Sequence, residues 1–377
     1  MWKFPHYEVG QPIPWDKIEQ DFSWFRDMKG VQQDAIWHAE GDVFIHTKMV
    51  AEALVSHPDF QPFSEQEKHI LFATAMLHDV EKRSTTEFEE IDGIMRITSK
   101  NHAKKGEKTA RVILYKDIQT PFAIREHICK LVRHHGAPIW AMDRDNVAKF
   151  VTELSLKLNT KMLALFAKAD IIGRIAEDSD DMMARVEMFE WICESNDCLG
   201  KQREFKSPLG RRYFFKNEDG WPGYEPFDDK DFTAYVMCAL PGSGKDTYIK
   251  NNLSQISMVS IDELRRERKV KRGDSKSEGQ VYQEIKDMCK VHMRARRDFV
   301  FNATNITKDM RGKVIKEFEE YGAKVVVIYI EVPYKKLLQQ NNNREYKVPE
   351  KAVEDMIWSL DVPDETESYA VKYEIAE

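Results

Sequence analysis

The chain has 377 residues, of which 42% are hydrophobic and 32% charged, with a formal net charge of -7. That length suits two hydrophobic cores better than one, and the acidic balance excludes a protein that coats nucleic acid indiscriminately, so a polyanion would have to meet local basic patches. Five scattered cysteines (Cys129, Cys193, Cys198, Cys238, Cys289) show no repeated pair spacing. This excludes a disulfide framework or zinc knuckle and predicts a reduced, cytoplasmic setting; no long apolar run or secretory pattern at Met1 to His6 predicts membrane contact.

From Asp34 to about Glu194 the pattern is helical. Ser64-Glu65-Gln66-Glu67 has capping-box spacing, and Ile70 to Leu77 is apolar nearly all round, which predicts a buried helix. His78-Asp79 follows directly, with Lys82 one turn further on. A second helical run, Lys161 to Ile175, carries Asp170 and, one turn later, Arg174. Between about Lys201 and Lys230 prolines and glycines interrupt the period and predict a linker. Beyond it, Thr233 to Leu240 and Lys324 to Val332 are β-branched strand candidates alternating with helices such as Thr307 to Tyr321, which predicts a parallel sheet with crossover helices. The expected architecture is multidomain: an all-α helical bundle over residues 1–200, a linker over 201–232, and an α/β domain with a central parallel sheet over 233–377.

Ten of the eleven histidines lie at or before His135, and the remaining one is His292. That skew assigns metal or proton chemistry to the first lobe. On a helix the side chains of consecutive His78 and Asp79 diverge by about 100°, and a metal or metal pair beside the chain accommodates both. Lys82 faces the same side. Arg174 after Asp170 offers a cation for a phosphate. His6, His57, His69 and His127 are expected to be packing or surface residues, and of the adjacent pair His134 and His135 only His135, before Gly136-Ala137-Pro138, is expected to line a pocket. Imidazole and carboxylate ligands suit a divalent transition ion, which lowers the pKa of a bound water and so supplies hydroxide.

These residues resemble the HD phosphohydrolase superfamily. Trp37 to Thr47 is similar to its opening segment, His78-Asp79-Val80-Glu81-Lys82 to its doublet motif, and Lys168-Ala169-Asp170 to its last ligand. The resemblance implies His46, His78, Asp79 and Asp170 as metal ligands, Lys82 and Arg174 as phosphate-neutralising groups, and His38, His102 and His135 as additional phosphate-binding or second-metal histidines.

In the second lobe, Ala239-Leu240-Pro241-Gly242-Ser243-Gly244-Lys245-Asp246-Thr247 follows a strand and precedes a helix, the setting of a Walker-A loop. Gly242, Ser243 and Gly244 wrap phosphates with backbone N–H groups, and Lys245 holds the β and γ phosphates of ATP, GTP or another nucleoside triphosphate. Asp246 stands where Ser or Thr normally reaches magnesium, and Thr247 follows one position late. Asp246 through water, or Thr247, could serve the ion. Asn302-Ala303-Thr304-Asn305 closes a strand where an acidic ligand is usual, and Asp246 partly compensates.

Ser260-Ile261-Asp262-Glu263-Leu264-Arg265 resembles the acceptor motif of the 5′-OH polynucleotide kinases. That implies Asp262 as general base, Arg265 on the acceptor phosphate, and Arg344, in a lid over Asn341 to Pro349, on the transferring phosphoryl group. Arg265, Arg266, Arg268, Lys269, Lys271 and Arg272, with Arg294, Arg296 and Arg297, form basic clusters able to attract a nucleic-acid backbone. The order of the two lobes resembles the bacterial end-healing enzymes of the HD-Pnk type. This implies removal of 2′,3′-cyclic, 2′- or 3′-phosphate ends, phosphorylation of 5′-OH ends of RNA or DNA, and a nucleic-acid ligase as functional partner. Two other readings stay open: an HD nucleotidase fused to a small-molecule kinase, and a nucleotide-sensing regulatory domain on the hydrolase.

Overall fold

The computed structural model describes residues 1–270 and 275–376; Lys271 and Arg272 of the expected basic run lie outside the described residues. The chain divides into two compact units, Met1–Arg203 and Glu204–Glu377. Among the described residues no helix is long and apolar enough to cross a membrane.

The first unit is built around the Glu65–Leu77 helix. Ser64 accepts from the Glu67 backbone and Glu67 returns to the Ser64 backbone, and every residue from His69 to Leu77 is buried. Because it is buried on every side from His69 onward, this helix is central rather than amphipathic. It shares one core with the Val43–Ser56 helix through Val50 and Leu54, and with the Thr160–Ile172 helix through Leu163 and Phe166. Gly173 ends the latter helix where a Cβ would lie 2.6 Å from both the nitrogen and Cα of Val50, so only glycine lets these two backbones meet.

The all-α expectation needs correction. Strand β1 (Thr86–Ile91) pairs antiparallel with β2 (Ile94–Ser99), and Ile91 faces Ile94 across a two-residue loop. Asp92 (φ 52°) and Gly93 (φ 77°) both take left-handed geometry, the conformation whose twist suits a tight hairpin.

The second unit carries a five-stranded, wholly parallel sheet. Its strands are β3 (Thr233–Ala239), β4 (Ser257–Ser260), β5 (Phe299–Asn302), β6 (Lys324–Glu331) and β7 (Ala370–Ile375). The spatial order is β4-β5-β3-β6-β7. All eight residues of β6 except Lys324 are buried, as expected for a strand covered on both faces. The chain leaves β3 at Ala239, β4 at Ser260 and β5 at Asn302, so the segments after these residues gather at the carboxyl ends of neighbouring strands, where ligands bind in such sheets.

The segment expected as a linker also differs. Pro208–Lys216 forms a helix whose cap, Ser207, accepts from the Gly210 backbone. Arg211 pairs with Glu365 at 2.8 Å and Arg212 with Glu319 at 2.6 Å, which ties this helix to the second unit. Ser followed by Pro at the first helical position is a helix start, and here it outweighs the surrounding turn chemistry.

Candidate functional sites

In the first unit three elements converge. Asp42 caps the Val43–Ser56 helix by accepting from Ile45, and His46 faces inward one turn later. The Glu65–Leu77 helix stops at its C-cap, His78. Asp79 lies beyond that cap, in a turn in which the Lys82 backbone donates to the Asp79 carbonyl at 2.9 Å. The doublet is thus outside the helix, and the turn is what brings both side chains to one place.

His46 Nε2 lies 3.4 Å from His78 Nε2, 3.1 Å from Asp170 Oδ1 and 3.6 Å from Asp79 Oδ2. His78 Nε2 is 3.2 Å from Asp79 Oδ2 and 3.9 Å from Asp170 Oδ1. The other ring nitrogens are engaged outward: His78 Nδ1 is 2.9 Å from the Ala75 carbonyl, and His46 Nδ1 is 2.9 Å from Glu40 Oε1. With the proton on Nδ1, each ring would turn an Nε2 lone pair toward two carboxylates. Acceptors so placed repel unless a cation sits among them, and buried imidazole with carboxylate fits a divalent transition ion. The same field acts on protons. Burial opposes charging His46, yet Asp170 and Glu40 raise it to about 9, and both Asp79 and Asp170 are held well below the carboxylate range despite burial.

A second set adjoins the first. Asp79 Oδ1 is 3.4 Å from His102 Nε2, which is 3.3 Å from His135 Nε2. His102 Nδ1 lies 2.7 Å from the Ser99 carbonyl and His135 Nδ1 2.9 Å from that of Val132. Asp79 therefore offers one oxygen to each imidazole pair, an arrangement with room for two ions sharing a carboxylate. Burial lowers His102, and lowers His135 to about 4, so both rings are neutral and able to ligate at pH 7. Lys82 reaches Asp79 Oδ2 at 2.7 Å and donates to Gln33 Oε1 at 2.8 Å.

His38 contacts the same carboxylate as His46, with its Nδ1 2.9 Å from Glu40 Oε1, while Glu40 Oε2 accepts from the Ile175 backbone at 2.8 Å. Glu40 was missed from sequence. It sits inside the quoted Trp37 to Thr47 segment, but only folding puts it behind His46, where a carboxylate fixes the ring's tautomer. Arg174 needs correction. The helix ends at Ile172, and Arg174, past the Gly173 cap, pairs with Asp178 at 2.7 Å instead of stacking one turn after Asp170. His6, His57, His69 and His127 lie in local contacts elsewhere, and His134 takes no part in the cluster.

In the second unit a cleft of about 900 Å³ is lined by the 239–247 loop together with Asp262, Arg265, Arg266, Lys269, Thr304, Arg344 and Lys347. Gly242 has φ 88° and a Cβ there would sit 2.8 Å from the Leu337 carbonyl; Gly244 has φ 93° and caps the Lys245–Asn252 helix. Both glycines are required, and the helix start behind them favours an anion. Burial lowers Lys245, opposed by the charges of Asp246 and Asp262 and aided by Arg344, so all four groups share one electrostatic neighbourhood. Ser243 is buried, and its Oγ has no partner among the described residues.

Asp262 stands in the first turn of the Ile261–Glu267 helix, whose cap Ser260 accepts from Glu263. Arg265 lies 3.4 Å from Asp262 Oδ1 and is held more firmly by Glu278, at 2.6 Å. The Arg344 loop follows the Tyr334–Asn342 helix, and buried Asn341 clamps it by donating to the Val348 carbonyl at 2.8 Å and accepting from its N–H at 3.2 Å. Asn341 gave no sequence signal because its partner is backbone. Thr247 also lines the cleft.

Residues 235–363 match the AAA domain family. No curated protein sequence matches the chain. The crystal structure of a "putative kinase" from Chloroflexus aurantiacus j-10-fl is similar with a TM-score of 0.33 and 9% identity, covering 39% of this chain and 86% of that one, a likeness too low to carry a functional conclusion. The matched stretch lies within the second unit and contains its phosphate loop, which implies a nucleoside triphosphate and magnesium.

Proposed function

We propose that the chain heals broken nucleic-acid ends: the first unit is an HD-type phosphohydrolase acting on 2′,3′-cyclic, 2′- or 3′-phosphate ends, and the second is a polynucleotide 5′-hydroxyl kinase. The observation that carries this reading is the pairing, in one chain, of the His46, His78, Asp79 and Asp170 cluster with a phosphate loop whose cleft holds Asp262 and Arg344.

In the first unit His46, His78, Asp79 and Asp170 would hold a divalent transition ion, with His102 and His135 sharing Asp79 for a second. Such an ion would lower the pKa of a water so that hydroxide is available near neutral pH, and would neutralise phosphoryl oxygens. The chain's own residues do the rest. Glu40, Ala75, Ser99 and Val132 hold the rings so that Nε2 faces inward. Lys82 faces Asp79 and balances its charge, while His102 and His135, kept neutral by burial and turned by backbone carbonyls, would offer Nε2 lone pairs to the second ion.

In the second unit Gly242 to Lys245 bind the donor phosphates. Asp262 accepts the proton of the acceptor hydroxyl as its oxygen bonds to the γ-phosphorus, the bond to the β-bridging oxygen breaks, and the diphosphate leaves with that electron pair. Arg344 neutralises the transferring group. Arg266, Lys269 and Lys347 around the cleft suit a polyanionic acceptor, RNA or DNA, and a ligase is the functional partner that uses both repaired ends. The test is an RNA carrying a 2′,3′-cyclic phosphate and a 5′-OH, incubated with ATP, magnesium and manganese, with both termini analysed. Conversion of both is expected; conversion of neither defeats the proposal.

A further inference from the structure

Magnesium in P-loop enzymes is ordinarily held by a hydroxyl directly after the loop lysine and by an acidic residue on another strand. Here the two positions carry the opposite chemistry. Asp246 follows Lys245, and Asn302 ends β5, the strand paired with β3 from which the loop springs. The side chains meet: Asn302 Nδ2 donates to Asp246 Oδ1 at 3.1 Å. Asn302 is buried and its Oδ1 has no hydrogen-bond partner among the described residues, while Asp246 is exposed on the cleft wall. A buried amide oxygen left unpaired is costly, and a hydrated cation or one of its waters would satisfy it.

We infer that the magnesium-anchoring charge has been exchanged between the two positions: Asp246 supplies the carboxylate, and Asn302 orients it and adds a neutral oxygen. The total charge offered to the ion is the same as in the ordinary arrangement, one negative group and one neutral oxygen donor. What changes is its place, because the carboxylate now stands beside the phosphate-binding lysine. The donor set, oxygen only, fits magnesium. Neither residue explains the other without this. With Asn at 302, serine or threonine at 246 would leave this pair of positions without a carboxylate, and with Asp at 246 an aspartate at 302 would put two negative groups within hydrogen-bond reach.

The inference rests on the nucleotide-site reading, and the test separates the two. ATP binding to the full-length protein is measured by calorimetry, once with EDTA and once with magnesium, for the wild type, Asp246→Ser, Asp246→Asn, and the double variant Asp246→Ser with Asn302→Asp. The expected result is that magnesium tightens ATP binding to the wild type, that both single variants lose about tenfold or more of that tightening while keeping their affinity in EDTA, and that the double variant regains it. Single variants that retain the full magnesium effect, or a double variant that regains none, would overturn the exchange with the nucleotide site intact. A wild-type chain that binds no ATP under either condition would overturn both readings.

Discussion

His46 and His78 bring their Nε2 atoms to 3.4 Å of each other, with each ring's other nitrogen turned outward to Glu40 or to the Ala75 carbonyl. The pair is preorganised by groups behind it. Replacing Glu40 with Gln keeps the shape but removes the charge that fixes His46, and metal affinity should fall about 10- to 100-fold. Equilibrium dialysis with manganese or zinc checks this, and an unchanged affinity would contradict it.

Gly173→Ala should disturb the same centre by another route. The added Cβ would lie 2.6 Å from the Val50 backbone, so the helices carrying His46 and Asp170 must part. Overpacking of this kind costs about 1–3 kcal/mol. The expected outcome is a lower melting temperature, with weakened metal binding; a variant that binds metal as the wild type does would show that the helix spacing does not set the ligand positions.

Much of this was legible in the sequence, where local pattern and tertiary demand agree. The Ser64 capping box, the apolar run before His78, the strands around Val236 and Val327, and Asp262 after β4 all form as their residues predict. The failures have physical causes. Asp92-Gly93 between alternating residues is a hairpin signal, and it competes with the helical pattern on both sides of β1 and β2. Ser207-Pro208 starts a helix inside a stretch whose glycines and prolines predict a linker. Helical period predicts Arg174 one turn after Asp170, but the Gly173 contact ends the helix before it. Glu40 and Asn341 act through contacts between distant or backbone groups, which no spacing reveals.

Stability should fall in acid through His127, whose Nε2 accepts from the Asn159 backbone at 3.0 Å. Burial lowers this residue to about 4, slightly opposed by Glu67, against about 6.5 in an unfolded chain. The folded state therefore binds fewer protons than the unfolded state between these values. The stabilisation is full above about pH 6.5 and declines to a loss of about 3 kcal/mol as pH falls to about 4. His127→Gln keeps an acceptor without titrating. Urea midpoints measured from pH 7 to pH 4.5 should fall less steeply for this variant, and equal slopes would assign the acid sensitivity elsewhere.

Gly242→Ala should abolish nucleotide binding, because φ 88° is strained for alanine and the Cβ would meet the Leu337 carbonyl at 2.8 Å. Calorimetry should find no ATP binding with the metal content unchanged. Retained affinity would mean that the loop does not cradle phosphate in this conformation.

The most direct test of two separate phosphate chemistries in one chain uses a single RNA with a 2′,3′-cyclic phosphate and a 5′-OH, treated with the wild type, His78→Ala and Asp262→Ala, with both termini read from each reaction. The account predicts that Asp262→Ala opens the cyclic phosphate but leaves the 5′-OH, and that His78→Ala does the reverse. Wild-type 5′ phosphorylation by Asp262→Ala, or wild-type 3′-end processing by His78→Ala, would contradict it.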